Sequence, residues 1–244
     1  MIVGGVEVTT VLDAVGLLGP YAALYPDVPA EAWQPYREHY PELFAGDQWR
    51  LPCACFVLRS GGVTVLVDTG VGPPGLWDWE PEFEGRLVAE VRPADVDVVF
   101  LTHLHIDHVG WNADADGRPL FRRYVAHEDA LAFVRGHDER PHVRRAILPV
   151  DFETIAGDTE LAPGVVAFEA PGHYPGHMAL RLGDEGIILA DVAVHPALLD
   201  HPEWRYVSDL DHERSVETRR ELLPQLEGKV VVCGHYPGDG RWNR

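Results

Sequence analysis

The apolar positions of the chain come in short, often β-branched runs, which are typical of buried strands. The clearest pair is CACFVLRS (53–60) and GGVTVLVDTG (61–70), and the Gly61-Gly62 step between them predicts a hairpin turn. Further strands are expected in DVDVVFLTH (95–103), GVVAFEAPGH (164–173), MALRLGDEGIILAD (178–191, a hairpin) and KVVVCGH (229–235).

Three segments have apolar residues spaced three and four apart, which predicts helices. They are EFEGRLVAEV (82–91), HEDALAFVRG (127–136) and SVETRRELLPQL (215–226). Strands with helices interspersed along the whole chain indicate an α/β protein.

Four of the predicted strands run into a histidine or an aspartate. These residues are His103, His173, Asp191 and His235. Because ligands of α/β proteins often sit just outside the strand ends, we expect the four strand ends to converge on one site.

Composition narrows the class of protein. The 244 residues fit one domain over 1–244, and the formal net charge of −19 disfavours nucleic acid and anionic membranes as partners. No apolar run approaches the ~20 residues that span a bilayer. The first residues lack a basic region and an Ala-x-Ala cleavage site, so no secretory signal is expected.

The chain has three cysteines, Cys53, Cys55 and Cys233. An odd and sparse count predicts no disulfide framework and is typical of a reducing compartment, so a cytoplasmic location is expected. Cys53 and Cys55 are expected to be small buried apolar residues.

The stretch THLHIDHVGW (102–111) concentrates three histidines and an aspartate within six residues. On an extended chain His103 and His105 point the same way and can share one metal ion, while Asp107 and His108 face a second. Imidazole and carboxylate without thiolate suit zinc and also tolerate iron, manganese or cobalt.

With His173, Asp191 and His235 the candidate site has five histidines and two aspartates. A carboxylate is a natural bridge between two cations, and Asp191 is the candidate for that role. The residues therefore predict two divalent metal ions, with zinc favoured.

The order of these motifs, with the Asp-Thr-Gly triplet at 68–70, resembles the metallo-β-lactamase superfamily over about residues 50 to 240. The resemblance implies a four-layer αββα sandwich with a dinuclear site at one edge, between the two sheets. It also implies that the first metal binds His103, His105 and His173, that the second binds Asp107, His108 and His235, and that Asp191 bridges them.

Differences from several branches of that superfamily narrow the function. β-Lactamases there generally have Cys or Ser in place of the bridging aspartate, and flavodiiron oxidoreductases typically have Glu where His105 stands. Glyoxalase II-like enzymes carry an extra helical C-terminal domain, whereas nine residues follow His235. Nuclease branches usually bring basic surfaces and long insertions. The stretch around 191–222 is similar to the remaining lactonase and esterase branch, which includes acyl-homoserine lactonases and organophosphate hydrolases.

The resemblance implies a hydrolase that acts on a lactone or another carboxylic ester through a metal-bridging hydroxide. Asp107 is the expected catalytic residue, because a carboxylate there can accept the nucleophile's proton and pass it to the leaving group. The alternatives are hydrolysis of an organophosphate triester or a thioester, or a non-catalytic metal-binding scaffold.

Some residues are expected to support the metal ligands. Acyl-homoserine lactonases often carry a tyrosine three residues after the bridging aspartate to assist the carbonyl oxygen, but this chain has Val194. Tyr174, His195 and Tyr236 are the candidate substitutes. Asp68 and His177 are expected to orient ligands or to stabilise turns.

Residues 19–52 combine seven aromatic residues with six prolines, and GLWDWEPEF (75–83) adds more aromatics. One interpretation is a lid or apolar wall over the metals. The other is a packing strap or a homodimer contact. The other histidines are expected to be surface or structural residues: His39, His127, His137, His142, His201 and His212.

Overall fold

The fold was examined in a computed structural model, which describes residues 1–74, 83, 85–136 and 140–242. Most of the aromatic stretch 75–83, His137 and the beginning of the helix predicted over 82–91 lie outside these residues. No helix in the described ranges is long and apolar enough to cross a membrane.

Strands occupy Ile2–Val3 (β1), Val6–Pro20 (β2), Phe44–Ala45 (β3), Gln48–Ser60 (β4), Val63–Val67 (β5), Val98–Phe100 (β6), Tyr124–His127 (β7), Phe152–Ile155 (β8), Thr159–Ala162 (β9), Val165–Glu169 (β10), Met178–Leu182 (β11), Gly186–Ile188 (β12) and Val230–Val232 (β13). The α-helices are Tyr21–Leu24 (α1), Gln34–His39 (α2), Leu87–Glu90 (α3), Ile106–Val109 (α4), Glu128–Val134 (α5), Ala197–Asp200 (α6) and His212–Leu222 (α7). Short 3-10 turns occupy Ala30–Trp33, Pro41–Leu43, Pro93–Asp95, Ala190–Ala193 and Leu223–Gln225, and a π-helical turn occupies Val143–Ile147.

The larger sheet has eight strands in the order β1-β2-β4-β5-β6-β7-β8, with β3 paired to β4. Strands β4 and β5 form the hairpin predicted around Gly61-Gly62, and both glycines have positive φ, 58° and 81°. From β5 to β8 the strands are parallel, so the segments that follow them leave the sheet at one edge.

The smaller sheet has five strands in the order β13-β12-β11-β10-β9. The hairpin predicted in residues 178–191 is the antiparallel pair β11 and β12, which confirms that prediction. Strand β13 pairs in parallel with β12, so the segments after these two strands leave the sheet at the same edge.

Buried apolar residues form three layers of packing. Between the sheets, valines and larger residues of β2, β4, β5 and β6 meet those of β10, β11 and β12. The outer face of the larger sheet is covered by α3, α4 and α5, and that of the smaller sheet by α6, α7 and the 19–52 segment. The fold is therefore the expected αββα sandwich, in which each sheet buries both faces.

The longest strand is one that the apolar pattern did not predict. In strand β2, Val6 and Val8 are buried between the sheets, but the next buried residue, Val11, packs on the outer face, and the charged Asp13 is also buried. Asp13 is buried and accepts hydrogen bonds from the backbone N–H groups of Val71 and Leu87, at 2.7 and 2.6 Å, where the register with β4 shifts. The predicted helix over 82–91 is also shorter, because its described helical part is only α3.

The 19–52 segment packs into the core beside the smaller sheet. Six of its seven aromatic side chains are buried, namely those of Tyr21, Tyr25, Trp33, Tyr36, Tyr40 and Trp49. Five aromatic rings surround the buried ring of His195 at centroid distances of 5.1 to 6.0 Å, those of Tyr21, Trp33, Tyr36, Phe44 and Trp49.

Candidate metal centre

The candidate ligands come from segments that follow strands of both sheets. After β6 the chain runs through His103 and His105 into α4, which carries Asp107 and His108. His173 follows β10, Asp191 lies in the 3-10 turn after β12, and His235 follows β13. The structure brings all seven predicted residues together at one edge of the sandwich, as expected from the strand-end pattern.

One group of ligand atoms comes from His103, His105, His173 and Asp191, and these atoms lie within 4.8 Å of one another. The Nδ1 atom of His105 is 3.0 Å from His103 Nε2 and 2.9 Å from His173 Nε2. Asp191 Oδ2 is 3.2 Å from His173 Nε2. Three imidazole nitrogens and a carboxylate oxygen thus converge, which is a donor set that suits zinc.

A second group comes from His108, Asp191 and His235. Asp191 Oδ1 is 3.4 Å from His108 Nε2 and 3.3 Å from His235 Nε2. Asp107 Oδ2 lies 3.6 Å from the same nitrogen of His235. The two oxygens of Asp191 therefore face different groups, which is the placement of a bridging carboxylate.

Two buried atoms in this second group make no hydrogen bond of good geometry with the described part of the chain. They are His108 Nε2 and Asp191 Oδ1, and both residues are only 5% exposed. Leaving buried polar atoms unsatisfied costs stability unless another partner is present. The orphaned atoms therefore fit a bound cation.

Four of the five histidines among the candidate ligands make a second polar contact through Nδ1, the ring nitrogen that does not point into the cluster. The Nδ1 contacts are His103 to Thr102 Oγ1 (3.1 Å), His108 to Asp68 Oδ2 (2.8 Å), His173 to Asp209 Oδ1 (2.9 Å) and His235 to the Pro52 carbonyl (2.7 Å). Each contact turns Nε2 towards the centre, and such partners also raise the basicity of a metal-binding histidine.

Asp68 and His177 lie where supporting residues would be needed. Asp68 has φ of 61° and accepts the Thr102 backbone N–H through Oδ1 at 2.8 Å, while its other oxygen contacts His108. His177 contacts the Ala170 carbonyl through Nδ1 and accepts the Asp191 backbone N–H through Nε2, at 3.1 Å. Burial lowers the pKa of His177 to about 3, so its neutral ring can accept that bond.

Sequence reasoning missed the pair behind His173. Asp209 is buried, and its second carboxylate oxygen accepts a hydrogen bond from Arg219 at 3.2 Å. Arg219 also donates to three backbone carbonyls, those of Val192, Pro202 and Trp204. No local motif marks these residues, because Asp209 is 36 positions from His173 and its role depends on tertiary packing.

The protonation of the metal-free ligands follows from burial and from neighbouring charges. Burial lowers the pKa values of His103 and His105 well below the usual value, so both are neutral. Burial also opposes charging of His108 and His235, but Asp191 and the other polar groups around these rings together offset it and raise both pKa values. Despite its own burial, Asp191 has a pKa held well below the usual range by His235, His108 and His103.

A cavity of about 150 Å³ opens beside these atoms. Its polar lining comes from His105, Asp107, His173, Asp191 and His235. Its apolar lining comes from Leu18, Trp49, Leu51, Ile106 and Val194. Apolar walls with a few convergent polar groups are typical of small-molecule sites.

Tyr206 and Ser208 also line the cavity, and sequence reasoning missed both. The Tyr206 ring lies parallel to that of His173, with 6.2 Å between centroids and 4° between planes. Burial raises the pKa of Tyr206 above its usual value, so the hydroxyl stays protonated and can donate. Only the position of Tyr206 in the folded chain reveals it, because it is 15 residues beyond Asp191.

The three tyrosine and histidine candidates named above are not among the residues that line this cavity. Tyr174 packs edge-on against His105 and Phe133, with centroids 4.7 and 5.2 Å away. Tyr236 is 1% exposed within the core. His195 is enclosed by aromatic rings, and its Nδ1 accepts the Ala197 backbone N–H. None of the three therefore lines this cavity, and a role for any of them at the carbonyl oxygen stays a prediction from the sequence.

The remaining predicted histidines within the described ranges take no part in either ligand group. His127 is buried and begins α5, where its Nδ1 accepts the Asp129 backbone N–H at 3.1 Å. His39 is exposed.

Comparison with known proteins gives a consistent result. Residues 49–235 match the profile of the Metallo-beta-lactamase superfamily. The N-acyl homoserine lactonase AiiA of Bacillus thuringiensis subsp. kurstaki is 31% identical over 217 residues, which cover 79% of this chain and 84% of that protein. The N-acyl homoserine lactonase AttM of Azorhizobium caulinodans is 30% identical over 231 residues, with the same coverage of both chains.

Solved structures share the fold. AidC, a dizinc quorum-quenching lactonase in complex with the product N-hexanoyl-L-homoserine, superposes with a TM-score of 0.81 at 20% identity. The match covers 99% of this chain and 91% of AidC. The hydrolase AbOPH of the β-lactamase superfamily superposes with a TM-score of 0.79 at 21% identity, covering 99% and 90%.

Proposed function

The chain belongs to the metallo-β-lactamase superfamily, and from this premise we propose that it is a metal-dependent hydrolase that opens lactone rings. The observation that carries the proposal is Asp191, whose two oxygens face two separate sets of histidines at the floor of a partly apolar cavity. The relatives named N-acyl homoserine lactonases support the choice of a lactone over other esters.

We assign seven residues to two divalent cations, with zinc favoured by the donor set. His103, His105 and His173 would hold the first, Asp107, His108 and His235 would hold the second, and Asp191 would contribute to both. When bound, two such cations would lower the pKa of a water molecule and polarise the carbonyl group of the ester.

Asp107 is the proposed proton carrier. It lines the cavity, and its Oδ2 lies 3.6 Å from His235 Nε2. A carboxylate at this position can take a proton from the attacking water and return it to the alkoxide that leaves when the ring opens. Both transfers occur within the cavity, so one residue serves both steps.

Tyr206 is the proposed hydrogen-bond donor to the substrate. The family resemblance implies a tyrosine at this position in many acyl-homoserine lactonases, whereas this chain has Val194, which lines the cavity. The buried phenol of Tyr206 faces the same cavity, beside Ser208. A fixed donor aimed at the carbonyl or leaving oxygen stabilises charge that develops during ring opening.

The apolar wall is suited to an acyl chain. The apolar residues that line the cavity include Leu18, Trp49, Leu51 and Ile106. Trp49 and Leu51 belong to the 19–52 segment, whose aromatic residues otherwise pack inside the chain. We therefore propose that this segment is a packing strap that also supplies one wall of the cavity.

The test is hydrolysis by the metal-loaded protein and by His105→Ala, with metal content measured in parallel. Substrates are acyl-homoserine lactones, aryl esters, a thioester and an aryl phosphotriester. We expect about two metal ions per chain and lactone turnover that the variant lacks. Preferred turnover of the phosphotriester or thioester would replace the lactone assignment, and two bound metals without any turnover would favour a non-catalytic scaffold.

A further inference from the structure

A cysteine thiol lies beside the second group of ligand atoms. Cys53 Sγ is 4.0 Å from Asp107 Oδ2, and together with His235 these side chains place their ligand atoms within 4.8 Å of one another. Cys53 is 1% exposed. The sequence suggested a site without thiolate, so this contact adds a donor of a different chemical kind.

The backbone fixes the thiol at this place. Cys53 follows Pro52 in β4, and the Pro52 carbonyl contacts His235 Nδ1 at 2.7 Å. The next residue, Ala54, donates its N–H to the Gly234 carbonyl at 3.0 Å. Strand β4 therefore contacts His235 through Pro52 and also carries Cys53. These two contacts fix the position of the Cys53 side chain relative to that of His235.

The distances suit a common metal ion. Two atoms that bind one zinc ion can be no more than about 4.4 Å apart, the sum of a Zn–S bond and a bond to nitrogen or oxygen. The Sγ–Oδ2 separation of 4.0 Å and the Oδ2–Nε2 separation of 3.6 Å are both shorter.

The orphaned atoms of the second ligand group lie next to the same histidine, His235. His108 Nε2 and Asp191 Oδ1 are buried and lack a hydrogen bond of good geometry among the described residues. Asp191 Oδ1 is 3.3 Å from His235 Nε2, so the two groups of ligand atoms meet at His235. Lone pairs from several side chains converge there.

We propose that Cys53 is a ligand of the second cation, together with Asp107 and His235, whose ligand atoms lie within 4.8 Å of its thiol. This inference rests on the two-cation site proposed above. Binding replaces the S–H bond with a sulfur–metal bond, and the proton passes to the solvent. A thiolate makes this site softer than the first, which favours zinc or cobalt over manganese or magnesium.

The other cysteines provide controls. Cys55 lies two residues along the same strand, but it packs with apolar residues under the helical layer of the larger sheet and joins neither ligand group. Cys233 donates through Sγ to the Ala190 carbonyl at 3.1 Å. Cys55→Ala is therefore the matched control for Cys53→Ala.

The first experiment is loading of the reduced protein with two equivalents of Co²⁺, followed by absorption spectroscopy. A thiolate ligand adds an intense sulfur-to-cobalt charge-transfer band in the near ultraviolet that imidazole and carboxylate do not produce. We expect this band in the unmodified protein and in Cys55→Ala, and its loss in Cys53→Ala. A band that survives in Cys53→Ala, or its absence from unmodified protein holding two cobalt ions, overturns the proposal.

A second measurement needs no variant and covers the case in which Cys53→Ala fails to fold. Zinc-edge X-ray absorption of the unmodified, zinc-loaded protein should show a sulfur neighbour at ~2.3 Å, in a ratio of about one sulfur to two zinc ions. Two bound zinc ions with only nitrogen and oxygen neighbours would refute the role of Cys53 alone. A protein that binds no metal would refute the proposed function itself.

Discussion

Arg219 and Asp209 form an ion pair that is almost completely closed to solvent, with 3.2 Å between Nη1 and Oδ2 and side-chain exposures of 0% and 1%. The other oxygen of Asp209 holds His173. The guanidinium of α7 thus acts on the metal centre through one carboxylate, while its remaining donors fix the loops around residues 192 and 202–204.

Replacement of Arg219 should therefore affect both stability and metal binding. Arg219→Met removes the cationic partner of the buried Asp209 carboxylate, whose Oδ2 is then left without its ion pair, so we expect a loss of about 3–5 kcal/mol in the free energy of unfolding. Loss of orientation at His173 should weaken binding of the first cation by about 10- to 100-fold. Urea unfolding and competition with a metal chelator measure the two effects.

The neighbouring arginine is the control for that substitution. Arg220 is exposed on the same helix, so Arg220→Met should change the stability by less than about 0.5 kcal/mol. Equal effects of the two substitutions would show that the buried network has no special role.

Loss of the Tyr206 hydroxyl should slow catalysis without loss of metal. Tyr206→Phe keeps the ring against His173 but removes the proposed donor to the substrate, so kcat should fall by about 100-fold. Steady-state kinetics on an acyl-homoserine lactone, with metal content determined on the same sample, measure this. Tyr236→Phe is the control, because that hydroxyl is buried without a hydrogen-bond partner in the described chain. Unchanged kcat in Tyr206→Phe would exclude the role.

Metal removal should destabilise the protein. Without cations, the orphaned His108 Nε2 and Asp191 Oδ1 remain buried, and the binding free energy no longer favours the folded state. We expect chelation to lower the urea midpoint and added zinc to restore it. At a free zinc concentration 1,000 times Kd, the free energy of unfolding should rise by about 4 kcal/mol. His39→Ala should still bind two metal ions, because His39 is exposed. A midpoint that does not respond to chelation or to zinc would contradict the proposed site.

Acid should destabilise the fold partly through His195. Burial lowers the pKa of His195 to about 3 in the folded chain, compared with ~6.5 when unfolded. Between these values only the unfolded chain binds the proton, so stability is lost as the pH falls below about 6.5. At pH 4.5 the loss from this group is about 2–3 kcal/mol.

The contribution of His195 can be isolated as a difference. His195→Asn should lose about 2 kcal/mol less stability between pH 7.5 and 4.5 than the unmodified protein does, whatever its stability at pH 7.5. Urea unfolding at the two pH values, with equal metal content, measures it. His39→Asn should show the unmodified dependence on pH, and an unaltered pH dependence in His195→Asn would refute the assignment.

The sequence predicted the features that are encoded locally. Alternating apolar runs and the Gly61-Gly62 turn were enough to predict the β4–β5 hairpin, and the histidine-rich stretch with three strand ends was enough to place seven side chains at one edge. Strand β2 was missed because its buried side chains change from one face of the sheet to the other between Val8 and Val11. It also buries a charged residue, Asp13, for a tertiary reason.

The rest of the site depends on distances along the chain that no motif spans. Tyr206 reaches the cavity and Asp209 reaches His173 only once α7 and the preceding loop have packed against the smaller sheet. Cys53 looked like an ordinary core residue, because its neighbours Asp107 and His235 are 54 and 182 positions away. Such pairings are set by the sandwich and not by local sequence.

The division of the ligands between the two sheets has a mechanical consequence. The segment after β6 in the larger sheet supplies His103 and His105, whereas His173 and Asp191 follow strands of the smaller sheet. Neither sheet supplies a complete set of ligands, so each bound cation would cross-link the two halves of the sandwich. Amide hydrogens at the interface between the sheets should then exchange more slowly with solvent in the metal-bound protein than in the metal-free protein.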